Sequence, residues 1–212
     1  MVYDPNKFKT ASQAQATYDI TDTQLGIGID NYYFLNTAKS TGVDYKLSGE
    51  ASYSNNNTTE GTSQNDGNSF DLDFDLTEFQ MTKILKGFAL VYVPWRVDFT
   101  SGGGSNASYS IRVKIRKWDG TTETEIGSES TIPIIGADIG DPYYNNTVMS
   151  INIPETVFNI GETLRVSVIG IMTPSGGVGT AKITLLHDPS NATDANYDFT
   201  QLKIAIPSKL NL

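Results

Sequence analysis

Four groupings of residues in this sequence could do chemistry. Asp71, Asp73 and Asp75 alternate along residues 70–76, and the single histidine, His187, stands beside Asp188. Glycines cluster at 102–104 and again at 176–179, and Arg112, Lys114, Arg116 and Lys117 crowd residues 107–118. The aspartate triplet has the opening rhythm of a calcium loop. It then carries Leu76 where such a loop turns on glycine and Thr82 where it closes on glutamate. On a strand the three carboxylates would stand in a row instead of converging on an ion, so no metal is assigned. His187 could serve a serine nucleophile, but its sequence neighbour Asp188 would project from the opposite face of a strand. No Gly-x-Ser-x-Gly elbow occurs. Neither glycine cluster is followed by Lys-Ser or Lys-Thr, so neither is a phosphate loop and no cofactor is implied. No residue is assigned a catalytic role, and the expectation is a non-enzymatic protein. A hydrolase with dispersed carboxylates remains a rival, because 24 acidic residues leave many carboxyl pairs open.

The cation cluster needs a partner. Single-stranded nucleic acid would fit four cations beside Tyr109 and Trp118. Against this, the chain carries 15 basic and 24 acidic residues, net −9, which opposes binding a phosphate backbone. The expectation is no nucleic acid. Arg112, Lys114 and Arg116 pair more naturally with the acidic triplet Asp71, Asp73 and Asp75, in the same subunit or the next. All six are therefore candidate subunit-contact residues.

The elements that must position these side chains are strands. Tyr109, Ile111, Val113 and Ile115 share one parity, and Ser110, Arg112, Lys114 and Arg116 the other. Period-two alternation of this kind marks a half-buried strand. Phe70, Leu72, Phe74 and Leu76 alternate with the aspartates in the same way. Residues 87–100 are apolar on both parities, as in a central strand, with Pro94 expected to end or bulge it. The glycine tip at 101–106 then predicts a hairpin between this strand and the basic one. Further strands are expected at 30–36, 43–54, 122–126, 148–153, 162–172, 181–186 and 202–206. Residues 77–86 are the one stretch with a helix pattern, capped by Thr77 and closed by Gly87, and they fit equally the start of an irregular strand. Residues 55–69 contain no aliphatic or aromatic side chain and are expected to form a polar loop.

About nine or ten strands between Gly, Pro, Asn and Asp turns predict an all-β antiparallel sandwich of jelly-roll type, with at most one short helix. The expected organisation is an extended N-terminal arm over 1–17 and one sandwich domain over 18–212. There is no cysteine, so no disulfide or thiolate metal site exists. No signal-peptide pattern opens the sequence, and no apolar run reaches membrane-spanning length, so no membrane association is expected.

Residues 153–168 (IPETVFNIGETLRVSV) and 200–212 (TQLKIAIPSKLNL), the latter preceded by LLHDPSN, form a distinctive pair. Together they resemble jelly-roll structural proteins of tailed bacterial and archaeal virus particles, of the capsid-decoration (cement) or minor-capsid kind. The resemblance covers about the last third of the chain. It implies a bacteriophage-type virion protein on the particle's outer surface, made in the host cytoplasm. It also implies a homo-oligomer, trimeric by preference, seated on capsid or portal-vertex proteins. The alternative is a carbohydrate- or receptor-binding β-sandwich module. In that reading Tyr32, Tyr33, Trp95, Tyr143 and Tyr144 would be exposed and stack on sugar rings.

Overall fold

A computed structural model describes residues 27–38, 45–50, 59–64, 67–99, 108–135, 143–173, 181–186 and 202–209. Twelve strands follow one another: β1 (Ile27–Ala38), β2 (Tyr45–Ser48), β3 (Thr59–Gln64), β4 (Gly67–Asp75), β5 (Lys83–Phe99) and β6 (Ser108–Trp118). Then come β7 (Glu123–Glu125), β8 (Ser130–Ile135), β9 (Tyr143–Phe158), β10 (Thr163–Thr173), β11 (Ala181–Leu186) and β12 (Lys203–Lys209). Among the described residues there is no helix. The protein is an all-β sandwich.

The hydrogen-bonded path runs β3-β11-β5-β12-β1-β2-β4-β10-β6-β7, with β9 joined to β5 and β8 to β6. All pairings are antiparallel except the short parallel bridge of β2 to β4. That bridge has two residue pairs, Tyr45 with Phe74 and Lys46 with Asp75, and it marks where the sheet folds over on itself. One half holds β3, β11, β5, β9, β12, β1 and β2. The other holds β4, β10, β6, β7 and β8. Their inner faces supply one core, including Val91, Val93, Trp95, Ile151, Ile204 and Ile206 from the first half and Phe74, Ile111, Val113, Ile115, Val166 and Val168 from the second. Phe34 of β1 meets Phe74 of β4 edge to face at 4.7 Å, so an aromatic pair closes the sandwich beside the bridge.

Several expectations are corrected here. Of residues 77–86, 77–82 form a connection and 83–86 open β5, so the stretch takes the strand alternative and not the helix. The Leu76 and Phe79 N–H groups donate to the carbonyls of Leu164 and Glu162, and the Phe79 ring lies 5.1 Å from Phe158, so the segment is held alongside β10. The β5 strand runs through Pro94, which faces Asn146 in register. The β5 and β6 strands are not hairpin partners: β5 bonds to β9, β11 and β12, and β6 to β10, β7 and β8. The apolar faces of both strands nevertheless belong to the same core. The polar stretch 55–69 contains β3 and the start of β4, so it joins the sheet through backbone bonds that need no apolar side chain. The N-terminal arm, the glycine tips, His187 and Asp188 lie outside the described residues.

Candidate functional site

The acidic and basic stripes do meet, and a third strand joins them. β10 lies between β4 and β6, in unbroken register with both from Arg165 to Gly170. Asp75 is opposite Arg165, which is opposite Arg116; Asp73 is opposite Ser167 and then Lys114; Asp71 is opposite Ile169 and then Arg112. These three rows face away from the core, because the other parity of each strand is apolar and turned inward. The Arg165 Nε donates to Asp75 Oδ1 at 2.7 Å and a terminal nitrogen to Oδ2 at 3.0 Å, a bidentate fork that fixes both groups. Arg165 also donates to Glu123 of β7 and lies 3.7 Å from Asp73, and its guanidinium stacks 4.7 Å above the Trp118 ring. Asp73 accepts from the Ser167 hydroxyl and from Arg116.

This network is roofed over. Arg165 is 5% exposed and Asp75 2%. The fork from Asp75, offset in part by burial and reinforced by Glu123, holds the Arg165 guanidinium charged well beyond its ordinary range. Toward the sheet edge half-buried cations pair with exposed glutamates: Arg116 with Glu123 at 3.1 Å, Lys114 with Glu129 at 3.3 Å and Glu125 at 3.5 Å, and Arg112 with Glu129 at 3.4 Å. Arg116, Lys114, Arg112, Asp73 and Asp75 therefore find partners inside one chain, and Asp71 lies on the same face, exposed. Of the two placements expected for this pairing, the same subunit or the next, the structure shows the one within a single chain. Sequence reading missed Arg165, its centre. The signal was present, since Arg165 and Ser167 occupy the outward parity of an otherwise apolar strand.

The sugar-stacking set is not assembled. Trp95 is 1% exposed and donates its indole N–H to the Thr147 hydroxyl at 2.9 Å, and Tyr32 is 9% exposed. Both take core parity, so they cannot present a ring face to a ligand. Tyr33 is half-buried on the opposite parity of β1. Tyr143 and Tyr144 are placed by backbone register alone, opposite Val97 and Arg96.

No protein-family model and no curated protein sequence matches this chain. Solved structures do share its fold. A CocE/NonD family hydrolase from Staphylococcus aureus has a TM-score of 0.52 at 12% identity, over 87% of this chain and 37% of its own. An aminopeptidase from a marine sediment Thaumarchaeota archaeon has 0.57 at 9%, over 87% and 37%. An α-amino acid ester hydrolase has 0.52 at 11%, over 84% and 36%. Carbohydrate-binding modules and an infectious bursal disease virus structure follow with TM-scores of 0.32 and 0.30, too low to bear on this chain. The chain thus spans little more than a third of the hydrolases it resembles. The expectation of a non-enzymatic protein is corrected by these neighbours. A sandwich that forms one part of a hydrolase need carry no nucleophile motif of its own, so the missing motif was no argument against enzymatic chemistry.

Proposed function

We propose that this chain is the β-sandwich part of a larger hydrolytic assembly, the place that a sandwich of this fold occupies in the hydrolases it resembles. One observation carries the reading: the fold matches across 84–87% of this chain but only 36–37% of each of those hydrolases. The outer faces would hold the companion unit, while the buried Arg165 network keeps one of them rigid. The test is purification of a tagged chain from its native source, with esterase and aminopeptidase substrates assayed in each fraction. Turnover should follow a complex that contains the chain, and its loss when the complex is dissociated supports the reading. A chain that purifies alone, with or without turnover, overturns it.

The virus-particle reading rests on a different observation, the sequence pattern of residues 153–168 and 200–212. These residues include the β9–β10 turn, the strand that joins the two charged stripes, and β12. The same purification separates the readings. Capsid or portal-vertex proteins in the complex, with the chain on the particle exterior, support a decorating role. Their absence removes it.

A further inference from the structure

Lysines of the sandwich pair with carboxylates in the ordinary way at several places. Lys86 donates to Glu155 at 3.1 Å and Lys117 to Glu162 at 3.2 Å, while Lys209 and Lys114 make looser pairs at 3.3–3.5 Å. Lys83 is different. Its Nζ stands 2.8 Å from Asp30 Oδ2, yet Oδ2 is shut off from water and accepts no hydrogen bond. The amine therefore lies against the carboxyl group away from the line of a hydrogen bond. Buried oxygens are almost always hydrogen-bonded, and a charged one without a donor is costly.

Both side chains stand on core parity. Asp30 shares the parity of the buried Tyr32 and Phe34 on β1, and Lys83 that of the buried Leu85 on β5. In register Asp30 is opposite Ile206 and Lys83 opposite Phe158, both buried. β1 and β5 are not neighbours, because β12 runs between them. Ser208 of β12 is opposite Gly28 on one side and Leu85 on the other. Asp30 lies two residues beyond Gly28 and Lys83 two before Leu85, so the pair reaches diagonally across β12 at Ser208. That serine is 1% exposed, and its hydroxyl has no hydrogen-bond partner. The Tyr32 hydroxyl bonds to the same carboxyl group as the lysine approaches; since Oδ2 has no donor, the bond falls on Oδ1. Burial first, and then the Asp30 charge, push the Tyr32 hydroxyl up, so it remains a donor.

We propose that Lys83 and Asp30 become joined by an amide bond, an internal cross-link formed with loss of one water. One proton passes from Nζ to Oδ2, leaving a neutral amine beside a neutral acid. The Nζ lone pair attacks Cγ, and the Tyr32 hydroxyl steadies the charge that develops on Oδ1. A second Nζ proton then moves to Oδ2, the Cγ–Oδ2 bond breaks, and water leaves. The fold supplies the proximity that such a condensation lacks between free side chains in water. The product removes both charges and the oxygen that had no donor. It also ties β1 to β5 across β12 in a chain that has no cysteine to cross-link it.

Mass spectrometry of the intact full chain tests this, followed by peptide mapping. The wild type should be lighter than its sequence by one water and should yield a branched peptide joining Asp30 to Lys83. On a denaturing gel it should run ahead of the linear chain. Lys83→Arg keeps the positive charge but replaces the amine by a guanidinium that stays protonated, so it should have full sequence mass and lose the branched peptide. Asp30→Ala should do the same. In Tyr32→Phe the water should be lost at least about ten-fold more slowly after cell-free synthesis. A wild type of full sequence mass overturns the proposal. So does a water-deficient chain whose peptides are all linear, as ring closure at Asp119-Gly120 would give, or a deficit that persists in Lys83→Arg.

Discussion

Replacing Arg165 by methionine separates a buried ion pair from a merely visible one. The side chain keeps much of its length, so packing on Trp118 is partly retained while the charge is lost. Asp75, at 2% exposure, then keeps a carboxylate with neither arm of its fork. Removing one partner of such a pair costs about 3–5 kcal/mol, since the remaining buried carboxylate loses its counter-charge. Asp73 and Glu123 fare better, because Arg116 bonds to both. The cost should therefore concentrate on Asp75, and Asp75→Leu in the same chain should recover most of it, to within about 1–2 kcal/mol of wild type. Urea denaturation of the four proteins of the cycle measures this, with the coupling read as the departure from additivity. If Arg165→Met costs less than about 1 kcal/mol, or if the double variant is as unstable as the sum of the singles, the buried-charge account fails.

Further expectations follow from individual contacts. Gly127→Ala should destabilise by more than about 1 kcal/mol, because φ is +72° and a Cβ would stand 2.3 Å from the Asn152 carbonyl oxygen; thermal melting measures it. Trp95→Ala should cost about 3–5 kcal/mol in urea denaturation, as expected of a core residue and not of an exposed sugar platform. Asp119 accepts from the Thr122 and Thr121 N–H groups, at 2.7 and 2.9 Å, and from the Thr121 hydroxyl, which hold its carboxyl below the ordinary range. For Glu162, burial pushes the carboxyl up but is outweighed by bonds from the Asn159 N–H and Lys117, so the net direction is down. Both groups have depressed folded-state values, so their contribution is present above the ordinary carboxylate range and is lost as pH falls through the folded values. Asp119→Asn with Glu162→Gln should flatten the acid limb of a plot of melting temperature against pH; an unchanged limb would refute their role.

Much of the fold could be read from alternation alone. The Phe70–Phe74 and Tyr109–Ile115 parities predicted which side chains are core, and burial follows them, with Leu72 partly buried at the margin. The Asp-Gly turn at 119–120 was also legible: Asp119 bonds forward and Gly120 takes φ +96°. Strand partners were not. A glycine tip between β5 and β6 signals a reversal, but it does not say whether the chain returns in the same sheet or crosses the core. The polar β3 had no side-chain signal, since its place rests on backbone bonds to β11.

The charged stripes show the same division. The sequence by itself determined that residues 70–76 and 107–118 each present one charged face, because strand geometry alternates side chains whatever lies next to them. It did not determine what the stripes touch. That depended on β10, about 50 residues further on, entering between them and setting Arg165 opposite both Asp75 and Arg116. Parity is a local property of the backbone. Which charges neutralise one another is set by register among strands distant in sequence, and only the packed sandwich, by burying Arg165, decides which of those pairs is held out of water.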